Sequence, residues 1–280
     1  MKHIILDCNY LCHRAKHIFG DLTYDGNATG VIYGFLKSLS AFQDLFNTSN
    51  FVFCFDSRTS KRKEIYPEYK ANRNKKEYTN EEIEFDKAFR KQIKKLRTTY
   101  LPMIGFKNIF IQRGYESDDL MAEICLHIKS DNEAVIITSD KDLYQCIREN
   151  ISCYNPHTNK RMTYQGFKKE YDISSVDWHL IKAIAGCTTD NVKGVKGIGE
   201  KFAIKYLTGQ LRTGKKYLDI VSVEGVDIFN RNIHLVKLPM KGTKGCILKQ
   251  DKLSESGWKE VIKLLGMKSI KDRMPFGRKR

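Results

Sequence analysis

The chain has 280 residues, 41% hydrophobic and 11% aromatic, which is enough apolar material for a substantial core and argues against wholesale disorder. No apolar run approaches the roughly 20 residues of a membrane-spanning helix, and the N-terminal stretch meets Asp7 and Arg14 too early for a secretory signal. The net charge of +16 is unevenly placed: residues 58–97 hold 14 Lys and Arg against 7 acids, residues 237–280 hold 13 against 4, and the remainder balances at 22 against 22. Such segregation is the footprint of a polyanionic partner, most often nucleic acid, although charge alone fits a merely basic soluble surface equally well. The eight cysteines form no Cys-x-x-Cys pair and lie mostly in apolar runs, as expected of a cytoplasmic protein with reduced, buried thiols.

Taken in chain order, "HIIL" (3–6) reads as a buried strand ending at Asp7, and "GVIYGFLKSLSAFQDLF" (30–46) has helical spacing. "FVFCF" (51–55) is a second strand, ending at Asp56. Residues 58–101 begin as a basic, aromatic-dotted loop and become a highly charged helix from about Asn80. "YESDDL" (115–120) opens a helix over 118–128, with Ser117 able to cap it and Glu116, Asp118 and Asp119 at the positive end of its dipole. "AVIIT" (134–138) is a third strand, followed by Asp140 and Asp142, and after about residue 175 the pattern is helical and basic. Strands alternating with helices predict an α/β fold with a mostly parallel sheet flanked by helices.

Parallel sheets gather ligands at the carboxyl ends of their strands, so these acids are expected at one edge. A single Asp is more often a cap or a solvated turn. Seven carboxylates together repel one another unless cations hold them. Oxygen donors without His or paired Cys suit magnesium or manganese rather than zinc, and two such ions about 4 Å apart would serve phosphodiester hydrolysis.

"KAIAGCTTDNVKGVKGIGEKFAIKYL" (182–207) follows, with Gly194, Gly197 and Gly199 closely spaced among lysines and just ahead of a helix beginning near Lys201. Bare backbone and a helix N-terminus can approach a phosphate closely and grip duplex without reading sequence.

The order and spacing of these motifs resemble the structure-specific 5′-nucleases: flap endonucleases, the 5′-nuclease domain of bacterial DNA polymerase I, and above all the small stand-alone phage enzymes. The likeness runs from residue 3 to about 240 and rests on Asp7, on "FCFDSR", "ESDD", "TSDKDLYQ" and "DNVKGVKGIGEK", and on "RNIHLVKLP" at 231–239. It implies a PIN-like nuclease core over 1–175, carrying a helical arch at about 58–101. A helical DNA-binding region would follow over 176–280, with a helix-three-turn-helix at about 180–210 that often holds potassium.

By position, the resemblance makes Asp56, Glu116 and Asp118 ligands of a first metal, with Asp7 acting through water. Asp140 and Asp142 match residues shared with, or belonging to, a second metal, Asp190 is its outermost ligand, and Asp119 supports the cluster. Tyr69, Lys70 and Arg73 match the base of the arch, where Lys70 contacts the scissile phosphate and Tyr69 stacks on a base. Arg62, Lys182, Lys196 and Lys201 join the three glycines as expected DNA contacts. The implied activity is 5′-flap endonuclease and 5′–3′ exonuclease cleavage near single-strand/duplex junctions in replication or repair, leaving a 5′-phosphate. RNA-primer removal from an RNA–DNA hybrid is one candidate duty. A polymerase or replisome partner would act in trans, no membrane is involved, and a monomer suffices.

One departure stands out. The family usually has Asp where this chain has Cys187, in "GCTTDN". A thiol is a poor magnesium ligand, so the second metal is expected to bind more weakly, with altered substrate preference or lost catalysis as competing outcomes. Other classes explain less. A pure DNA-binding module leaves the strand-end acids unused, and a PIN-type ribonuclease has no need of the hairpin or the arch. A Cys187 nucleophile lacks a nearby His. The basic tail "FGRKR" (276–280) would add nonspecific phosphate affinity.

Overall fold

A computed structural model describes residues 1–74 and 79–277. Its centre is a six-stranded sheet in the order Ile109–Phe110, Phe51–Cys54, Lys2–Asp7, Glu133–Ile137, Ile151–Asn155, Lys160–Met162. The first five are mutually parallel and the last is an antiparallel edge. The three strands expected from the sequence are the three central ones, with Leu6 opposite Phe53 on one side and Ile137 on the other. Being covered on both faces, they read as unbroken apolar runs, whereas the outer strands are short or mixed and carry weaker signals.

Alternation of side chains divides the core in two. Ile4, Leu6, Phe51, Phe53, Val135 and Ile137 face the helices Cys8–Phe19 and Gly30–Phe46. Ile5, Val52, Cys54, Ala134 and Ile136 face the helices Ser117–His127 and Trp178–Ala185. The arch helix spans Asn80–Lys95 and starts with a capping box between Thr79 and Glu82. Its second half belongs to the core: Phe89 is buried, and buried Gln92 Oε1 accepts from the Val31 amide at 3.0 Å, capping the helix at Gly30 that Thr29 leaves uncapped.

The C-terminal boundary needs correction. Residues 249–254 run back along 105–108, with the Lys252 amide donating to Gly105 O at 2.9 Å and the Lys249 amide to Asn108 Oδ1 at 2.7 Å. The last helix, Glu255–Leu264, then buries Trp258, Val261 and Ile262 against the first core. This segment therefore packs into the core around Ile4 and Leu6 rather than into the helical region expected from 176. Among the described residues no helix is long and apolar enough to cross a membrane. In the basic tail, residues 278–280 lie outside the described residues, as do residues 75–78 of the arch.

Candidate active site

Asp7, Asp56, Asp118 and Asp140 meet at the carboxyl edge of the sheet. Asp7 ends the central strand and caps the next helix, accepting from the Tyr10 amide at 3.0 Å. Asp56 lies two residues past its strand and accepts from the Ser117 amide at 2.7 Å. The Asn9 side chain holds the Asp56 amide at 3.0 Å. Asp140 caps the turn Lys141–Cys146 through the Asp142 amide at 2.8 Å, and Asp118 stands in the first turn of its helix.

Burial raises each of three carboxyls above the usual range, and neighbouring acids raise them further. Asp7 is pushed up to about 7 by burial, then by Asp56 and Asp140. Asp140 rises to about 6 through burial and Asp142. Asp118 rises well above the ordinary value through burial, Asp140 and Asp7. Among the described residues no ion pair reaches these four acids, because the basic side chains nearby are engaged elsewhere. Oxygen-only donors, held close together and mutually repelling, fit a divalent cation.

The remaining acids are compensated by the protein itself. Lys70 Nζ lies 2.7 Å from Glu116 Oε2 and 3.5 Å from Asp190 Oδ2, and Arg73 Nη2 lies 2.8 Å from Asp190 Oδ1. Burial alone would lower the Lys70 pKa, but Glu116 and Asp190 carry it above the ordinary value. Lys70 sits in the left-handed region at φ 55°, held there as its amide donates to Asp190 O at 2.8 Å. The base of the arch is thus clipped to the segment that follows Cys187.

Three expected contacts, those of Arg62, Lys182 and Tyr69 with DNA, are not open in this structure, because each side chain is engaged within the protein. Arg62, expected on DNA, is 2% exposed; its Nη1 and Nη2 each lie 2.7 Å from Asp119, and its Nε donates to Leu235 O at 2.7 Å. Asp119, expected to support the acids, is fully buried and spends both oxygens on Arg62, the Glu116 amide and the Met240 amide. Lys182, expected on duplex backbone, is 8% exposed and pairs with Asp142 at 3.1 Å and Glu200 at 2.9 Å. Tyr69 is not available to stack on a base in this conformation. Its ring is buried, and its hydroxyl lies 2.9 Å from both Glu116 and Asp190, so one proton serves two acceptors in turn.

The glycine-rich loop lies between the helices Trp178–Ala185 and Glu200–Leu207. Gly194 packs on backbone: a Cβ there would stand 2.2 Å from Ala185 O. Gly197 needs its φ of +74°, and nothing lies within 4 Å of a Cβ at Gly197 or Gly199. Lys196 and Lys201 are exposed beside them. A groove of about 1260 Å³ separates this loop from the helix Val223–Val236. Two residues of the "RNIHLVKLP" motif, assigned no individual role from the sequence, hold the groove in place. Buried Asn232 donates to Ala183 O and Lys193 O, both at 2.9 Å, and Arg231 donates to Lys193 O at 2.8 Å.

The raised carboxyls fix a pH dependence. A folded pKa above the unfolded value of 3.8 means the folded state binds more protons, so metal-free stability falls as pH rises from about 4 to about 7. Without metal, the melting temperature should drop between pH 5 and 7.5, and the rise on adding magnesium should be larger at pH 7.5. Equal rises at both pH values would remove the cation-binding interpretation of these acids.

Residues 2–172 match the family described as the 5′-3′ exonuclease N-terminal resolvase-like domain. A 5′-3′ exonuclease of Mycoplasmopsis pulmonis is 32% identical over 238 residues, covering 82% of this chain and 73% of that protein. A thermostable DNA polymerase I of Thermus thermophilus is 31% identical over 229 residues, 80% of this chain but only 26% of the polymerase. Among solved structures, bacteriophage T5 5′-exonuclease with bound zinc superposes with a TM-score of 0.71 at 22% identity, covering 99% of this chain and 100% of that one. The T5 flap endonuclease in complex with DNA and metal ions gives 0.71 at 22% identity, with 98% of each chain covered.

Proposed function

Since the chain belongs to the 5′-3′ exonuclease family, we propose that it is a structure-specific 5′-nuclease that uses magnesium or manganese to cut DNA flaps and 5′ ends near single-strand/duplex junctions. The observation that carries this reading is the meeting of four carboxylates without an ion pair, three of them with raised pKa values, beside the Lys70–Arg73 base of the arch. Asp7, Asp56, Asp118 and Asp140 would hold the divalent ion. When bound, it supplies Lewis-acid stabilisation of charge on the phosphodiester and activates water for attack.

The chain's own groups do the rest. Lys70 and Arg73 bring two cations to the rim of the acid cluster, where a water-poor site strengthens their attraction for a phosphate. A phosphate there competes with Glu116 and Asp190 for the same donors, so substrate loosens the clip between arch and hairpin. Gly197, Gly199, Lys196 and Lys201 offer an open, basic backbone surface to a duplex, in the manner of a helix-three-turn-helix with its potassium ion. The products would carry 5′-phosphate and 3′-hydroxyl ends. Primer removal from RNA–DNA hybrids and a polymerase acting in trans fit the same placement. With all eight cysteines free, we place the activity in the reducing cytoplasm.

The test is cleavage of a labelled 5′-flap duplex against blunt duplex and single strand across a magnesium titration. Preferential release of the flap with a 5′-phosphate supports the proposal. Flap binding without cutting, in magnesium or in manganese, would reduce the protein to a DNA-binding member of its fold. Gly194→Ala should weaken duplex binding and lower stability together, because its methyl has no room against Ala185, whereas Gly199→Ala meets nothing.

A further inference from the structure

The second half of the site differs in chemistry from the first. Cys187 lies on the antiparallel pair Gly186–Cys187 and Val192–Lys193, and its Sγ and carboxylate oxygens of Asp142 and Asp190 all fall within 4.8 Å of one another. Three donors around one ion, each at about 2.0–2.3 Å, have that spread. All three line a cavity of about 10 Å³, room for one water-sized body, whose other walls include Val192 and Leu235. Asp142 is more than nine-tenths buried, and its Oδ1 accepts no hydrogen bond of ordinary geometry; its nearest partner is the Lys182 ammonium at 3.1 Å.

These donors suit a hard, strongly hydrated ion poorly. The negative charge of Asp142 is already met by Lys182, and that of Asp190 by Arg73 and Lys70, so a magnesium ion gains little Coulomb attraction for the water it must lose. Sulfur reverses the preference, because a thiolate forms strong bonds to thiophilic ions and weak ones to magnesium. We propose that Asp142, Cys187 and Asp190 form a binding position for a thiophilic divalent ion, distinct in selectivity from the four-carboxylate position beside it. Binding breaks the S–H bond; its electron pair forms the sulfur–metal bond and the proton leaves to solvent. Without an ion the thiol stays protonated, held by burial and by the Asp142 charge, with Thr189 Oγ1 at 3.1 Å. The proposal deepens the metal-dependent reading above and rests on it for its catalytic consequence alone.

Cobalt(II) is the probe, added to the 280-residue chain under a phosphine reductant. The native chain should develop a thiolate-to-cobalt charge-transfer band. Cys187→Ser should lose it and weaken cobalt binding by at least the roughly tenfold that losing even an outer partner costs. Cys246→Ser, altering a half-exposed thiol away from the acids, should keep the band. Zinc should erase the band and a large excess of magnesium should not, and this arm needs no variant to fold. Absence of the band in the native chain, its persistence in Cys187→Ser, or its erasure by magnesium would each overturn the site. Flap cleavage in magnesium is followed on the same preparations. Cleavage without the band sinks the thiolate site alone, and the band without cleavage in any ion sinks the nuclease reading alone.

Discussion

Asp118→Asn should abolish phosphodiester cleavage and, at neutral pH, raise the melting temperature of the metal-free protein. The two effects have one cause. Asp118 is a buried carboxyl facing Asp140, Asp7 and Asp56, with Lys70 as the opposing charge. Ionising it costs stability in the absence of a cation, and Asn keeps the shape while removing the charge. The same charge is what a divalent ion binds. Its loss removes several kcal/mol of transition-state stabilisation, a fall of at least about 10³-fold in kcat/KM. Cleavage and differential scanning fluorimetry, with and without magnesium, check the pair. A variant that still cuts, or that melts several degrees lower without metal, would show that Asp118 is a structural acid rather than a cation ligand. The magnesium-induced rise in melting temperature should also shrink, separating a lost ion site from a damaged fold.

The central strands and the acids at their ends were legible because strands covered on both faces must be apolar throughout, and an Asp directly after such a run has one place to go. The helix over 30–46 and the start of the arch helix at Asn80 were legible for the same kind of reason, as periodic or capped segments. The short strands Ile109–Phe110 and Lys160–Met162 were not, since two or three residues carry no period. Charge misled in a different way. Arg62 and Lys182 lie in basic stretches and read as surface cations, yet each is buried on a carboxylate far away in sequence, Asp119 and Asp142. Sequence position shows that a cation exists; only the fold shows which acid it has already met. Cys187 was legible as an anomaly, but the cation-compensated surroundings that define its chemistry were not.

Arg62→Met provides the sharpest separation between a surface cation and a structural one. Arg62 Nε is bound to Leu235 O at the end of the helix Val223–Val236, and its guanidinium fork is bound to Asp119 in the first turn of Ser117–His127. Asp119 in turn holds the Glu116 amide at 3.1 Å and the Met240 amide at 2.9 Å. The pair thereby fixes Glu116, and through Glu116 the positions of Tyr69 and Lys70. Removing Arg62 leaves a fully buried carboxylate without its cation, at a cost of about 3–5 kcal/mol. Asp119→Asn placed on top should recover part, not all, of that loss: the buried charge is gone, but the Glu116 and Met240 amides bind different oxygens and the amide side chain keeps only one. Denaturant midpoints of the two single variants and the double variant measure this. If Arg62→Met costs less than about 1 kcal/mol, as surface substitutions do, and instead raises KM for flap DNA, Arg62 belongs to the DNA-contacting cations after all. A large stability loss with partial rescue makes it the brace of the acid cluster, and its effect on cleavage should then fall on kcat through misplaced Glu116 and Lys70.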